Sequence, residues 1–221
     1  VQSHHDSKGT MPPGGITEGL CCATQSKTNW AIEILPFIEQ ESLFKLYTGF
    51  KTGPTAYGTA PNTTNVTTKF IKTLQCASDA SSGNNVAPNF SNMTKHNYVV
   101  NAGNTVRLQA TFNGVTFGGA PFLRNGGAQK LTDILDGTSN TMLIAEKWLH
   151  PTNYTNGADG GDNEVWCNAG WDECHVRQAG GTYTYLYNNG QKAPPGSPSR
   201  TIDRTPRPDS EAPAQVDAAG A

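Results

Sequence analysis

No stretch of this sequence approaches the ~18 consecutive apolar residues that a membrane-crossing helix needs, and none of the residues from Val1 onward reads as a leader with a charged start and an apolar centre. If the protein is exported or anchored, the segment responsible is expected to lie outside these 221 residues. Charge is scarce as well: Asp, Glu, Lys and Arg make up 15% of the chain and nearly cancel, to a formal net charge of -2. Without a Lys/Arg cluster there is no basic stripe, and so no electrostatic basis for holding nucleic acid. The five cysteines, Cys21, Cys22, Cys76, Cys167 and Cys174, include no Cys-x-x-Cys spacing, which argues against a zinc ribbon or a thioredoxin-like redox motif. His-Glu-x-x-His and Gly-x-Ser-x-Gly are both missing. His150, His175, Glu146, Asp172 and Glu173 therefore have no catalytic context, and the chain reads as a non-enzyme.

What is abundant is glycine, proline and small polar residues. Hydrophobic residues make up 35% of the chain, below the ~45–50% (glycine counted) of ordinary globular domains, while Gly and Pro number 24 and 14. A modest core among long loops follows, with a length that suits one domain and its elaborations. Loops of Ser, Thr, Asn and Gly with so few charges have the balance of exported bacterial proteins. In an oxidising compartment Cys167 and Cys174 could close a small loop contributing about 2.5 kcal/mol, and Cys76 with Cys21 or Cys22 a longer one contributing about 4 kcal/mol. One thiol would be left over. The alternative is five reduced, partly buried thiols.

In chain order, His4 to Lys8 reads as the last turn of a helix that Gly9 ends and Pro12-Pro13 forces into an extended path. His4, His5 and Asp6 are adjacent potential ligands, but neighbouring histidines face different ways on a helix. Trp30 to Leu35 is ambiguous between strand and helix. Pro36 suits the first turn of a helix running to Tyr47, with Phe37, Ile38, Leu43, Phe44 and Tyr47 on one apolar face. Residues 48–68 form a loop with Asn-x-Thr triplets at Asn62 and Asn65, the pattern of glycosylation acceptors. His96 to Gly103 has the Tyr and Val content of a strand, and Asn113-Gly114 is the dipeptide of a two-residue hairpin turn. From Lys130 to Glu146 the pattern predicts a short helix burying Leu131, Ile134 and Leu135. A polar turn at Asp136-Gly137-Thr138-Ser139-Asn140 and a doubly buried strand at Met142-Leu143-Ile144-Ala145 follow.

Two groups of residues invite a ligand. Asp159, Asp162, Asn163 and Glu164 are oxygen donors carried on a glycine-rich loop, which suits calcium and its six to eight hard ligands, though not at EF-hand spacing. Asp133 and Asp136 are a second set of candidate calcium ligands. No cofactor is demanded by the pattern, and an ordinary solvated loop is the alternative. Trp166, Trp171 and Asp172 could form a stacking platform for a glycan if exposed, or part of the core if not. Residues 193–221 hold six of the 14 prolines and few apolar residues, and read as a surface excursion or flexible tail following a globular part at 1–192.

Several of these segments recur together in a known order. His5-Asp6, Gly9-Thr10 and Pro12-Pro13-Gly14 are followed by Leu35-Pro36-Phe37-Ile38-Glu39-Gln40 and Leu74-Gln75-Cys76-Ala77-Ser78-Asp79. Then come Asn97-Tyr98, Leu131-Thr132-Asp133-Ile134-Leu135-Asp136-Gly137-Thr138-Ser139-Asn140-Thr141, and Gly170-Trp171-Asp172-Glu173 with Arg177. Jointly, over roughly residues 4–178, they resemble the large planctomycete family of prepilin-like proteins that carry a domain of unknown function. The resemblance implies an α+β, pilin-like fold: an antiparallel sheet with a short helix near 36–47, long loops, and an apolar N-terminal helix largely missing from this chain. It also implies an extracellular or cell-surface structural subunit that self-assembles with identical or related subunits into a filament or secretion pseudopilus. Membrane contact would come only through the missing helix. The alternative function is a surface module that binds a glycan or another solute, with calcium or without.

Overall fold

A computed structural model of the protein describes residues 1–17, 26–48, 62–79, 94–101, 111–112, 115–116, 121–122, 129–147, 149, 151, 154–155, 162, 164–167, 174–177, 182–184 and 201–203. Helix α1 (Gln2–Lys8) ends where the sequence places its stop. Gly9 takes φ 75°, a left-handed conformation that a Cβ would oppose, and its N–H returns to the His5 carbonyl at 2.7 Å. Strand β1 (Gly15–Thr17) then pairs antiparallel with β2 (Ser26–Asn29). β2 runs straight into α2 (Trp30–Glu33), and Asn29 makes the transition. Its backbone is extended, while its side-chain Oδ1 accepts the Ile32 N–H at 3.0 Å, the geometry of an N-cap. That cap is what makes Trp30 to Glu33 helical rather than extended.

The single helix expected from Pro36 to Tyr47 is not formed. Leu35–Phe37 make one 3-10 turn, Glu39 adopts φ 62°, and α3 (Glu41–Leu46) starts afresh. The break has a physical cause in the backbone: the Gln40 N–H bonds back to the Leu35 carbonyl at 2.9 Å, and Phe44 N–H to Gln40 O opens the next helix. The turn buries Leu35 and α3 buries Leu43, so two short elements reach the core at different angles where one stripe was expected. Helix α4 (Asn62–Asn65) follows. Asn62 is sealed at its start, accepting the Thr48 N–H at 2.9 Å and donating to the Thr48 carbonyl at 2.6 Å.

The central sheet has three strands in the order β6 (Ile144–Glu146), β3 (Tyr98–Asn101) and β7 (Val176–Arg177). β3 lies antiparallel to β6 and parallel to β7, so this sheet is mixed where an antiparallel one was expected. The strand anticipated after His96 is thus the middle one, and Val99 and Val100 are buried on its two faces. β4 (Thr111–Phe112) and β5 (Val115–Thr116) form the hairpin predicted around Asn113-Gly114. β8 (Thr182–Thr184) pairs antiparallel with β9 (Thr201–Asp203), so a strand lies within the proline-rich 193–221.

The stretch from Leu131 to Glu146 departs most from expectation. Leu131–Asp133 form one 3-10 turn with no buried residue, and Leu135 is 93% exposed. That turn ends at Ile134, and Gly137 takes φ 86° in the polar turn that follows it. Beyond it β6 is an edge strand among the described residues, not a doubly buried one, with Ile144 exposed on it and Met142 exposed just before it. A four-residue apolar run carries no information on whether neighbours lie on both sides, and here β3 takes the middle place. The core gathers Trp30, Ile32, Leu35, Val100, Phe122 and Trp166 with their smaller neighbours. The architecture is α+β, and no helix of the described residues is long and apolar enough to cross a membrane.

Candidate functional site: a buried polar centre

Immediately before β3, three consecutive polar residues turn into the protein. Lys95, His96 and Asn97 are 1%, 0% and 5% exposed. Each engages a different part of the chain. Lys95 Nζ donates to Asp162 Oδ2 and to the Tyr154 carbonyl at 2.9 Å. Lys147, immediately after β6, donates from its Nζ to the other oxygen, Asp162 Oδ1, at 2.9 Å. One carboxylate thus sits between two ammonium groups, a trio with one excess positive charge. Burial of this kind is tolerated only where the charges are paired and hydrogen-bonded.

His96 Nε2 and His175 Nδ1 share a hydrogen bond of 2.7 Å, and the two rings lie nearly parallel with centroids 4.9 Å apart. Trp30 meets His96 edge-on at 5.5 Å and donates its Nε1–H to the His175 carbonyl at 2.9 Å. The same carbonyl accepts the Val100 N–H at 3.0 Å. Asn97 donates its amide to Asp79 Oδ2 and accepts the Cys76 N–H at 3.0 Å. Its backbone bonds Leu74 O at 3.0 Å and the Lys147 N–H at 2.8 Å. Cys76 Sγ in turn donates to Glu146 Oε1 at 3.1 Å, beside Tyr98. Burial, followed by the nearby Cys76 and Glu146, holds the Tyr98 phenol above its ordinary range.

The residues singled out by sequence fall as follows. Asp162, one of the candidate calcium ligands, has both carboxylate oxygens engaged by lysines and serves as their counter-ion. Glu164 is half-buried with Oε2 sealed from solvent, while Asp159 and Asn163 lie outside the described residues. Asp133 Oδ2 accepts the Lys130 N–H at 2.8 Å and so caps its own turn. The Asp136 backbone carbonyl accepts from Asn140 Nδ2 at 2.9 Å. Among the described residues no group of three or more His, Cys, Asp or Glu side chains is placed to hold a metal ion. Trp166 is 1% exposed and belongs to the core, so it offers no face to a glycan. Trp171 and Asp172 lie outside the described residues.

Of the two readings of the cysteines, disulfides or buried thiols, the structure has Cys76, Cys167 and Cys174 as buried thiols. Cys167 and Cys174 pack as small apolar side chains, 0% and 1% exposed, and Cys76 uses its thiol on Glu146. Burial pushes the Cys167 thiol far above its ordinary range. Cys21 and Cys22 lie outside the described residues.

In sequence His96 and Asn97 read as the start of a strand and Lys95 as the end of a polar loop, and nothing marks Lys147 as buried. An inward lysine has no local signature, because its counter-ion is 67 residues away. The one available sign was polar residues running unbroken into a Tyr-Val-Val strand. Chemically, lysine, imidazole, amide and carboxylate groups here are spent on one another. With the backbone bond from Trp166 N–H to Thr94 O, they tie together residues 76–79, 94–97, 147, 162, 166 and 174–177.

A family model described as "Protein of unknown function (DUF1559)" matches residues 1–219. No curated protein and no solved structure matches.

Proposed function

We propose, from the premise that this chain belongs to the DUF1559 family, that it is an extracytoplasmic structural subunit of pilin or pseudopilin type. It would assemble with copies of itself or with related subunits at the cell surface. One observation carries this reading: the distribution of chemistry between inside and outside. Among the described residues Lys95, His96, Lys147, Asp162 and His175 are sealed within and hydrogen-bonded to one another or to the backbone, whereas apolar side chains stand outside on and before an edge strand. Leu135, Met142 and Ile144 are 93%, 41% and 36% exposed, and β6 has a strand partner on one side only among the described residues. An exposed strand edge with apolar neighbours is a template for pairing with another chain.

The resemblance to planctomycete prepilin-like proteins supplies the kind of assembly, since an apolar N-terminal helix is what packs such subunits into a fibre. With Trp166 enclosed in the core, a glycan platform lacks one of its two indoles, and assembly is the reading taken forward. Electron microscopy of the full-length mature protein tests it. Filaments or regular surface arrays are expected, and Ile144→Lys should reduce them while circular dichroism shows an intact fold. Full-length protein that stays monomeric at every concentration would sink the proposal.

A further inference from the structure

The polar centre places an amine and a carboxyl group in direct contact in a sealed interior: the Lys95 and Asp162 side chains are 1% and 2% exposed. We propose that Lys95 and Asp162 become joined by an intramolecular isopeptide bond, a covalent cross-link that forms once the chain has folded. The nucleophile is held by two anchors, Asp162 Oδ2 and the Tyr154 carbonyl, the latter at 2.9 Å. Solvent, which would favour the separate ions, is excluded. The Lys147 ammonium lies 2.9 Å from Asp162 Oδ1, where negative charge develops when an amine adds to Cγ.

The steps balance without any further reactant. In a low-dielectric interior, transfer of one proton from Lys95 Nζ to Asp162 Oδ2 replaces an ion pair by an amine and a carboxylic acid. The amine adds to Cγ, forming the Nζ–Cγ bond and moving the carbonyl electron pair onto Oδ1, beside Lys147. A second proton passes from Nζ to the Oδ2 hydroxyl, the Cγ–Oδ2 bond breaks, and Oδ2 leaves as water. One ammonium and one carboxylate have become one amide and one water, with no change in net charge and no oxidant. Lys147 is left donating to the new amide oxygen without its carboxylate counter-ion, a cost that the irreversible loss of water has to exceed.

The cross-link does not depend on the assembly reading, because it forms within one molecule. The test is the intact mass of the folded, full-length protein, followed by digestion and fragmentation. A deficit of one water is expected, with a branched peptide joining Lys95 to Asp162. Asp162→Asn should lose one ammonia instead, and Asp162→Ala and Lys95→Arg should lose nothing. The primary readout is the unmutated protein, so the test stands whether or not a variant folds. A folded protein with the full sequence mass overturns the proposal. Water loss that fragmentation places at Asp136-Gly137, or a branch through Lys147, overturns it equally.

Discussion

Asn29 joins two distant parts of the structure through one short side chain, and its replacement gives a graded prediction. Its Oδ1 caps α2 by accepting the Ile32 N–H at 3.0 Å, and its Nδ2 donates to the Trp166 carbonyl at 3.0 Å, all at 0% exposure. Losing an N-cap costs about 0.5–2 kcal/mol, and leaving a buried carbonyl without its donor costs about 1–3 kcal/mol. Asn29→Ala should therefore lose about 3 kcal/mol, a large share of the ~5–15 kcal/mol that holds a domain together. For a chain of this size that lowers the melting temperature by about 6–12 °C.

Asn29→Ser keeps a capping oxygen and loses only the tie to Trp166, so about 1–2 kcal/mol is expected. Asn29→Asp keeps the cap but sets a buried carboxylate against the Trp166 carbonyl, and should be the worst at neutral pH, recovering as acid protonates it. Urea melts followed by tryptophan fluorescence read this directly, because Trp30 and Trp166 are both 1% exposed. Asn29→Asp matching the unmutated protein at pH 7, or Asn29→Ala costing under ~1 kcal/mol, would refute a capping and tying role.

Other predictions concern titration, thiols and the indole of the core. Burial lifts the Glu33 carboxyl above its ordinary 4.5, against the opposing effects of the Thr28 hydroxyl, which donates to it at 2.9 Å, and of Lys8. The folded state then holds this proton more tightly than the unfolded chain. The site favours folding fully below the unfolded value, and that contribution is lost as pH rises through the folded one. Glu33→Gln, which keeps an oxygen for Thr28, should be more stable than the unmutated protein at pH 7 and no more stable at pH 4. An equal difference at both pH values in urea melts would exclude titration of Glu33 as the cause. Iodoacetamide should leave Cys167 and Cys174 unlabelled in the folded protein and label both after denaturation without reductant. Peptide mapping that shows them resistant even when denatured would restore a disulfide. Trp30→Phe removes the Nε1–H donated to the His175 carbonyl, which keeps Val100 as a partner, so a loss of about 1–3 kcal/mol is expected from chemical denaturation.

The parts of the fold that could be read in advance are those set by neighbouring residues. Gly9 ending α1, Asn113-Gly114 between β4 and β5, Gly137 closing its turn and the Tyr98-Val99-Val100 strand all rest on local backbone chemistry. Even the helix at Trp30 had its marker in Asn29, a capping residue directly before an apolar run. What could not be read was position in depth. Leu135 and Ile144 resemble core residues in sequence yet are exposed, and Lys95, His96 and Lys147 resemble surface yet are enclosed. Depth is decided by partners far along the chain: Asp162 lies 67 residues from Lys95, and His175 lies 79 from His96. The helical stripe from Phe37 to Tyr47 was misread for a related reason, since Glu39 in a left-handed conformation splits a periodicity that carries no mark of the break.

The distances along the chain between these partners also set a clock. Trp30 waits 145 residues for the His175 carbonyl, and β3 cannot have β7 beside it until Val176 exists. At a synthesis rate of about 5–20 residues per second, that wait is roughly 7–30 s, during which β1 and β2 can pair but the Trp30 indole N–H and the second edge of β3 have no partner. Enclosure of the Trp30 indole and completion of the central sheet are therefore among the last events open to a chain made from its N-terminus, whatever the earlier segments have already formed.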